Sequence, residues 1–346
     1  MNRSSGIRPR PLGRAAPRPA LRAALRPALP AAVLLALVLA GCSDSDGGGS
    51  GGGSAQGEPK LGEVALAPPT ASISLPLDAY TDTDAETARM GQVQQRLLSR
   101  CMARYGFPYE EVRPSGAAGA QGPEGRHRAL FGVADAEFAA AHGYDTTAGK
   151  GQPVKRPAAP LSESATLVMH GERPGGRQGA EQPPDAATEE EAAQVDSGID
   201  VSGQKVPAGG CIREAYRKLY APTKGSVDLL FPFGLASEAH ERSKGDSRVV
   251  AVLRNWSACM EKSGYTGLKD PYEVVQKLGL EADPGGPKAV VAAKADVACK
   301  REVNLVGIWA AVEKAYQQRL VEEQAETLAL YKKQREARYK LAAGVI

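Results

Sequence analysis

What this 346-residue sequence lacks is catalytic and metal-binding motifs. Its four histidines, His127, His142, His170 and His240, are scattered, with none three or four residues from another. No H-E-x-x-H pair, Walker loop or serine-hydrolase elbow in a credible context is present. The Gly/Ser stretch at 47–52 fits two such patterns by accident, without the flanking strand and helix their mechanisms require. The five cysteines contain no C-x-x-C, so a thioredoxin-like redox centre and a zinc ribbon are both unsupported. Adjacent Glu110 and Glu111 in "YEEVRP" fit a solvated loop better than an acid/base pair. The alternating strand and helix pattern of a two-domain solute-binding protein is missing as well. These absences predict no catalytic residue, no metal ligand and no cofactor.

The apolar run "AAVLLALVLAG" at 31–41 is also too short to cross a bilayer core of about 30 Å. Seven arginines and no acid precede it in residues 1–30. A basic region, a short apolar region and small residues are the plan of a secretory signal peptide. The arginines stand singly, which gives a twin-arginine route no support. The run ends in "LAGC", Leu39 to Cys42, which resembles a bacterial lipobox. That resemblance implies cleavage before Cys42 and diacylglycerol on its thiol.

Removing residues 1–41 reverses the charge balance. The whole chain has 43 Lys+Arg against 40 Asp+Glu; without the seven leader arginines it has 36 against 40, a net of −4. A mildly acidic body has no general attraction for nucleic acid or anionic lipid. The Gly/Ser-rich residues after Cys42 read as a tether, assigned to 42–65. Its polar stretch 43–60 has a root-mean-square reach of about 20–25 Å.

With Cys42 acylated, Cys101, Cys211, Cys259 and Cys299 remain in an oxidising compartment, enough for two disulfides. Their surroundings repeat. "RLLSRCMARYGF" at 96–107 is echoed by "RNWSACMEKSGY" at 254–265, with Arg, Ser, Cys, Met, Gly and an aromatic at matching places. "CIRE" at 211–214 is echoed by "CKRE" at 299–302. Each unit reads as a helix with a cysteine in its last turns, then a second helix with a cysteine near its start or middle. A disulfide between the two would staple a hairpin. This favours Cys101–Cys211 with Cys259–Cys299 over the cross-unit alternative, Cys101–Cys259 with Cys211–Cys299. Closing those loops contributes about 4 kcal/mol each in the chain-entropy account.

Other segments read as helices too. Thr83 with Glu86 forms a capping box before Val93, Leu97, Leu98 and Met102 at helical spacing. Val249, Val252, Leu253 and Trp256 give the second copy its apolar face. Residues 126–144 suggest one or two short helices, and Asp270 with Pro271 opens another. Residues 113–125 and 149–208 are too rich in Gly, Pro and polar residues to order themselves. Only "ATLVMHG" (165–171) and "SVDLLFPF" (226–233) carry weak strand signals. From about 287 to 341 one long helix is expected, with an apolar seam of Leu305, Trp309, Val312, Tyr316 and Leu320.

The expected fold class is therefore mainly α, with disulfide-stapled helical hairpins from an internal duplication, a long C-terminal helix and disordered inserts. The expected organisation is a signal peptide at 1–41, a tether at 42–65 and a helical domain at 66–346. Within the domain, repeat-like units span about 81–220 and 246–320, and a flexible insert about 149–208. Lipobox, composition and paired cysteine segments together resemble uncharacterised surface lipoproteins of high-GC Gram-positive, actinobacterial type. The expectation is a non-enzymatic binding or interaction role on the extracytoplasmic face of the cell membrane. Expected partners are the bilayer, through acylated Cys42, and a membrane protein complex or cell-wall polymer, with no nucleic acid. The alternative is an envelope hydrolase using carboxylates from separate segments, which a deep pocket holding two or more acids or histidines would favour.

Overall fold

The computed structural model describes residues 57–112, 123–148, 160–172 and 185–346. Among them the architecture is mainly helical. The first long helix, α1 (Asp84–Arg104), begins at the expected capping box: Glu86 N–H donates to Thr83 Oγ1 at 3.2 Å, and Glu86 Oε2 accepts from Thr83 N–H at 2.8 Å. Then come α2 (Pro123–Phe131), α3 (Ala136–His142), α4 (Glu163–His170) and the short α5 (Glu189–Ala192). A two-residue hairpin, β1 (Asp200–Val201) with antiparallel β2 (Gln204–Lys205), precedes α6 (Gly210–Tyr220). The rest is helical: α7 (Phe231–Lys244), α8 (Ser247–Lys262), α9 (Val274–Lys277), α10 (Pro287–Glu302), α11 (Leu305–Glu323) and α12 (Ala325–Val345).

Both disulfides form in the favoured pairing. Cys101–Cys211 ties α1 to α6, and Cys259–Cys299 ties α8 to α10, each with Cα atoms 5.6 Å apart. The repeated sequence around them has a physical cause. In both copies the glycine five residues after the cysteine has positive φ, +78° at Gly106 and +90° at Gly264. Gly106 N–H donates to Ala103 O and Phe107 N–H to Met102 O; Gly264 N–H donates to Glu261 O and Tyr265 N–H to Met260 O. That is the Schellman helix ending, in which the residue after the glycine packs on the residue four before it. Met102 and Met260 hold that inner position and are fully buried. Ser99 and Ser257 add matching bonds, each hydroxyl donating to a carbonyl of the chain beyond the turn, at Tyr109 and Leu268. Glu214 and Glu302, at the ends of the two C-x-R-E segments, place a carboxylate 3.3 and 3.6 Å from the sulfurs of Cys101 and Cys259.

The larger core lies around the second staple. Trp256 and Trp309 are fully buried there with Val249, Val252, Leu305, Val312 and Leu320, as the helical spacing requires. Burial of each large apolar side chain contributes about 1.5–3 kcal/mol. Phe131, Val133, Ala139 and Tyr144, although between the two halves of the first unit in sequence, belong to this core. A smaller cluster surrounds Cys101–Cys211 with Met102, Tyr105, Val168 and Val206. A third joins α1, α6 and α12 through Met90, Val93, Leu219, Ala342 and Val345.

Four expectations need correction. The chain does end in a long helix, α12, but the single helix expected from 287 to 341 is divided into α10, α11 and α12. The first break is at Asn304, whose φ is +53°. Its side chain holds the incoming chain, Oδ1 accepting from Ala67 N–H at 2.7 Å and Nδ2 donating to Ala65 O at 3.0 Å. Gly307 is glycine for the same reason: a Cβ there would lie 2.0 Å from Ala65 O. Second, the tether assigned to 42–65 ends earlier, because Glu58 accepts from Ser247 N–H and Oγ–H, and Pro59 O accepts from Arg248. Third, part of the insert at 149–208 is ordered. Residues 163–170 form α4, which buries Ala165, Val168 and Met169 against α6, so enough apolar surface was present after all. Fourth, the strand-like stretches at 165–171 and 226–233 are helix α4 and the approach to α7. Cys42, the signal peptide, most of the tether and the low-complexity residues 113–122, 149–159 and 173–184 lie outside the described residues.

Candidate functional site

A cleft of about 280 Å³ lies between the 3-10 turn Pro76–Tyr80, α2, α7 and Gln317 of α11. Its walls are mostly apolar, from Leu75, Leu77, Leu130, Phe233 and Ala236. Two histidines from the unpaired four are brought to it, His127 on α2 and His240 on α7, each backed by a carboxylate.

The first pair is His127 with Asp78. His127 is 1 % exposed, and its Nε2 lies 3.0 Å from Asp78 Oδ2 and 3.2 Å from Oδ1. Asp78 also accepts from Leu75 N–H at 2.8 Å, and Arg126 stands 3.6 Å away. Burial alone would raise the Asp78 pKa, but the hydrogen bonds from His127 and Leu75 and the neighbouring positive charges outweigh it and hold the carboxyl below its ordinary value.

The second pair is His240 with Glu313. Glu313 is fully buried on α11. It faces His240 Nδ1 at 3.3 Å, accepts from Gln317 Nε2 at 3.0 Å and lies 3.0 Å from Ser243 Oγ. Ser243 in turn accepts from Trp309 Nε1 at 2.9 Å. The His240 ring stacks on Trp309 with centroids 5.4 Å apart and planes 6° from parallel. Its Nε2 lies 3.1 Å from the Tyr272 hydroxyl, which also contacts the Leu130 carbonyl. Desolvation, reinforced by Asp270, Glu313 and Glu241, pushes the Tyr272 pKa up.

A carboxylate behind an imidazole fixes its tautomer and orientation, so either pair is chemically able to move a proton. Among the described residues, however, neither imidazole hydrogen-bonds a serine, threonine or cysteine side chain that could attack a substrate. Nor does any group of three or more His, Cys, Asp or Glu there have the arrangement of a metal site. His142 lies tilted against Phe138, ring centroids 5.1 Å apart, and His170 is exposed at the end of α4, both outside the cleft lining. Glu110 is exposed, and Glu111 pairs with Arg96 at 2.8 Å on the surface. Trp256 and Trp309 are core residues.

The four paired cysteines are 9 % exposed or less and serve as staples. Sequence reasoning missed the acids Asp78 and Glu313. They lie 49 and 73 residues from their histidines, and no spacing rule connects segments that far apart. No family model, curated protein or solved structure matches the chain.

Proposed function

We propose that this chain is a lipid-anchored extracytoplasmic protein of the cell envelope, of actinobacterial lipoprotein type, with a binding rather than catalytic role. The observation that carries this reading is the use of the cysteines. Of five, four are closed into two disulfides, which belong to an oxidising compartment. The fifth is Cys42, which ends the lipobox-like "LAGC" after a short apolar run. No helix among the described residues is long and apolar enough to cross a membrane, so attachment in this reading rests on the acylated Cys42. Its partner would be a membrane protein complex or a cell-wall polymer.

The test is expression of the full chain in a high-GC Gram-positive host supplied with a clickable fatty acid. The label should enter the chain and vanish in Cys42→Ser, and surface cross-linking should capture one reproducible partner. An unlabelled chain would remove the anchor. Neither a partner nor retention on purified cell wall would remove the binding role.

A second reading, an envelope hydrolase, is favoured by one observation: the cleft gathers Asp78, His127 and His240 from separate segments. Turnover of ester or glycoside substrates that is lost in His240→Asn would decide for it.

A further inference from the structure

One residue of the cleft lining, His127, carries a buried polar atom whose bonding is incomplete. Asp78, Gln317 and both nitrogens of His240 have partners inside the protein. Nδ1 of His127 has none, and it is the one buried side-chain nitrogen or oxygen of the lining in that position among the described residues. Since Nε2 faces the Asp78 carboxylate, Nε2 carries the hydrogen, and in the neutral ring Nδ1 is left as an acceptor. An unpaired buried acceptor is a cost that the fold bears without any structural return here. Thr81, Arg126 and Ser237 are the other polar residues of the wall, and the remainder is aliphatic or aromatic. At about 280 Å³ the space falls just below the roughly 300–1,000 Å³ range of drug-sized sites.

We propose that the cleft binds a small, mostly apolar molecule bearing one hydroxyl group, whose proton is received by Nδ1 of His127. The apolar body packs against Leu77, Leu130 and Phe233, and the hydroxyl completes the imidazole. As the wall stands, Nδ1 is sealed from water, so binding shifts a wall side chain, a rearrangement common when ligands dock. This goes beyond the envelope-binding role and does not depend on it, because the cleft is formed whether or not Cys42 is acylated.

The test is a methyl-resolved NMR titration of the full-length chain, read at Leu75, Leu77 and Leu130, with three probes of one shape: 4-ethylphenol, ethylbenzene and 4-ethylbenzoate. One net hydrogen bond of about 0.5–1.5 kcal/mol makes the phenol bind roughly 2- to 12-fold tighter than ethylbenzene. The benzoate, which has no proton to give at neutral pH, binds weakest. His127→Phe should bring phenol and ethylbenzene to equal affinity, and Ala236→Phe, which fills the cleft and leaves His127 and Asp78 in place, should abolish both. If His127→Phe does not fold, the wild-type ranking and Ala236→Phe still decide. No shift at these methyls with any probe overturns the site. Equal binding of phenol and ethylbenzene overturns the role of His127. Preference for the benzoate overturns the acceptor assignment. None of these outcomes touches fatty-acid labelling at Cys42, so failure of the site and failure of the anchor are separable.

Discussion

Lys300 and Asp296, one turn apart on α10, are both buried to within 1 % of complete and lie 2.9 Å from each other. The pair is embedded in neutral donors and acceptors: Asp296 accepts from Trp256 Nε1 at 2.9 Å and from the Tyr144 hydroxyl at 3.3 Å, and Lys300 donates to Val133 O at 2.7 Å. Such a pair adds little net stability over apolar replacements, because desolvation offsets attraction, but removing one partner strands a buried charge. Lys300→Met should therefore destabilise the chain by about 3–5 kcal/mol. At about 2–4 °C per kcal/mol for a body of this size, the thermal midpoint falls by roughly 6–20 °C. Asp296→Asn with Lys300→Met removes both charges and keeps an acceptor for Trp256, so it should recover at least about 2 kcal/mol of that loss. The assay is urea unfolding followed by tryptophan emission, since Trp256 bonds Asp296 directly. A Lys300→Met cost below about 1 kcal/mol, or a double variant weaker than the sum of the singles, would refute the assignment of a sealed, mutually dependent pair.

Two further perturbations are informative. Gly210 opens α6 with φ of +71°, and a Cβ there would lie 2.4 Å from Gly171 N at the end of α4. Gly210→Ala should cost more than about 2 kcal/mol by forcing the left-handed backbone and the clash together. Gly234→Ala, on an exposed turn of α7 with open space around it, should instead gain about 0.5–1 kcal/mol; urea midpoints of both variants check the contrast. The pKa of Asp78 is held below its ordinary value, so its contribution to stability is complete above about pH 4 and is lost as pH falls further, through the folded-state value. Asp78→Asn should flatten the acid limb of the stability curve in that window, measured by near-ultraviolet circular dichroism. An unchanged acid limb would show that the His127 contact does not stabilise the carboxylate.

Local features were legible from sequence. The capping box at Thr83, the apolar faces of α1, α8 and α11, the repeated glycines at 106 and 264 and the two disulfides each depend on residues a few positions apart, or on a pattern the chain repeats. The break at Asn304 was not legible, because its cause is a tertiary contact: a segment more than 230 residues away crosses the helix there and takes both ends of the Asn304 amide. The ordering of α4 was hidden for a similar reason. Its eight residues are surrounded by Gly, Pro and charged residues, and the apolar face becomes useful only once Gly171 and Gly210 allow α4 to close on α6. The cleft was the least legible feature. Its acids and histidines come from separate segments, and no local signal marks Asp78 or Glu313.

The repeated staples and the cleft divide the chain in an instructive way. Everything the two units share, the Schellman ending, the serine bond to the following chain, the disulfide and the glutamate beside its sulfur, holds helices together. Nothing shared lines the cleft. Its walls come from the turn before α1, from α2 inserted between the halves of the first unit, and from α7 between the two units; Gln317 of α11, which follows the second staple, completes it. The buried Asp296–Lys300 pair is likewise unshared, since the corresponding places around Cys211 hold Ala208 and Ile212. That pair anchors Val133, just beyond α2, and so fixes the helix that carries His127 against the second core. In this architecture the staples set the frame, and the segments between and after them, positioned by one buried ion pair, supply the side chains able to select a ligand.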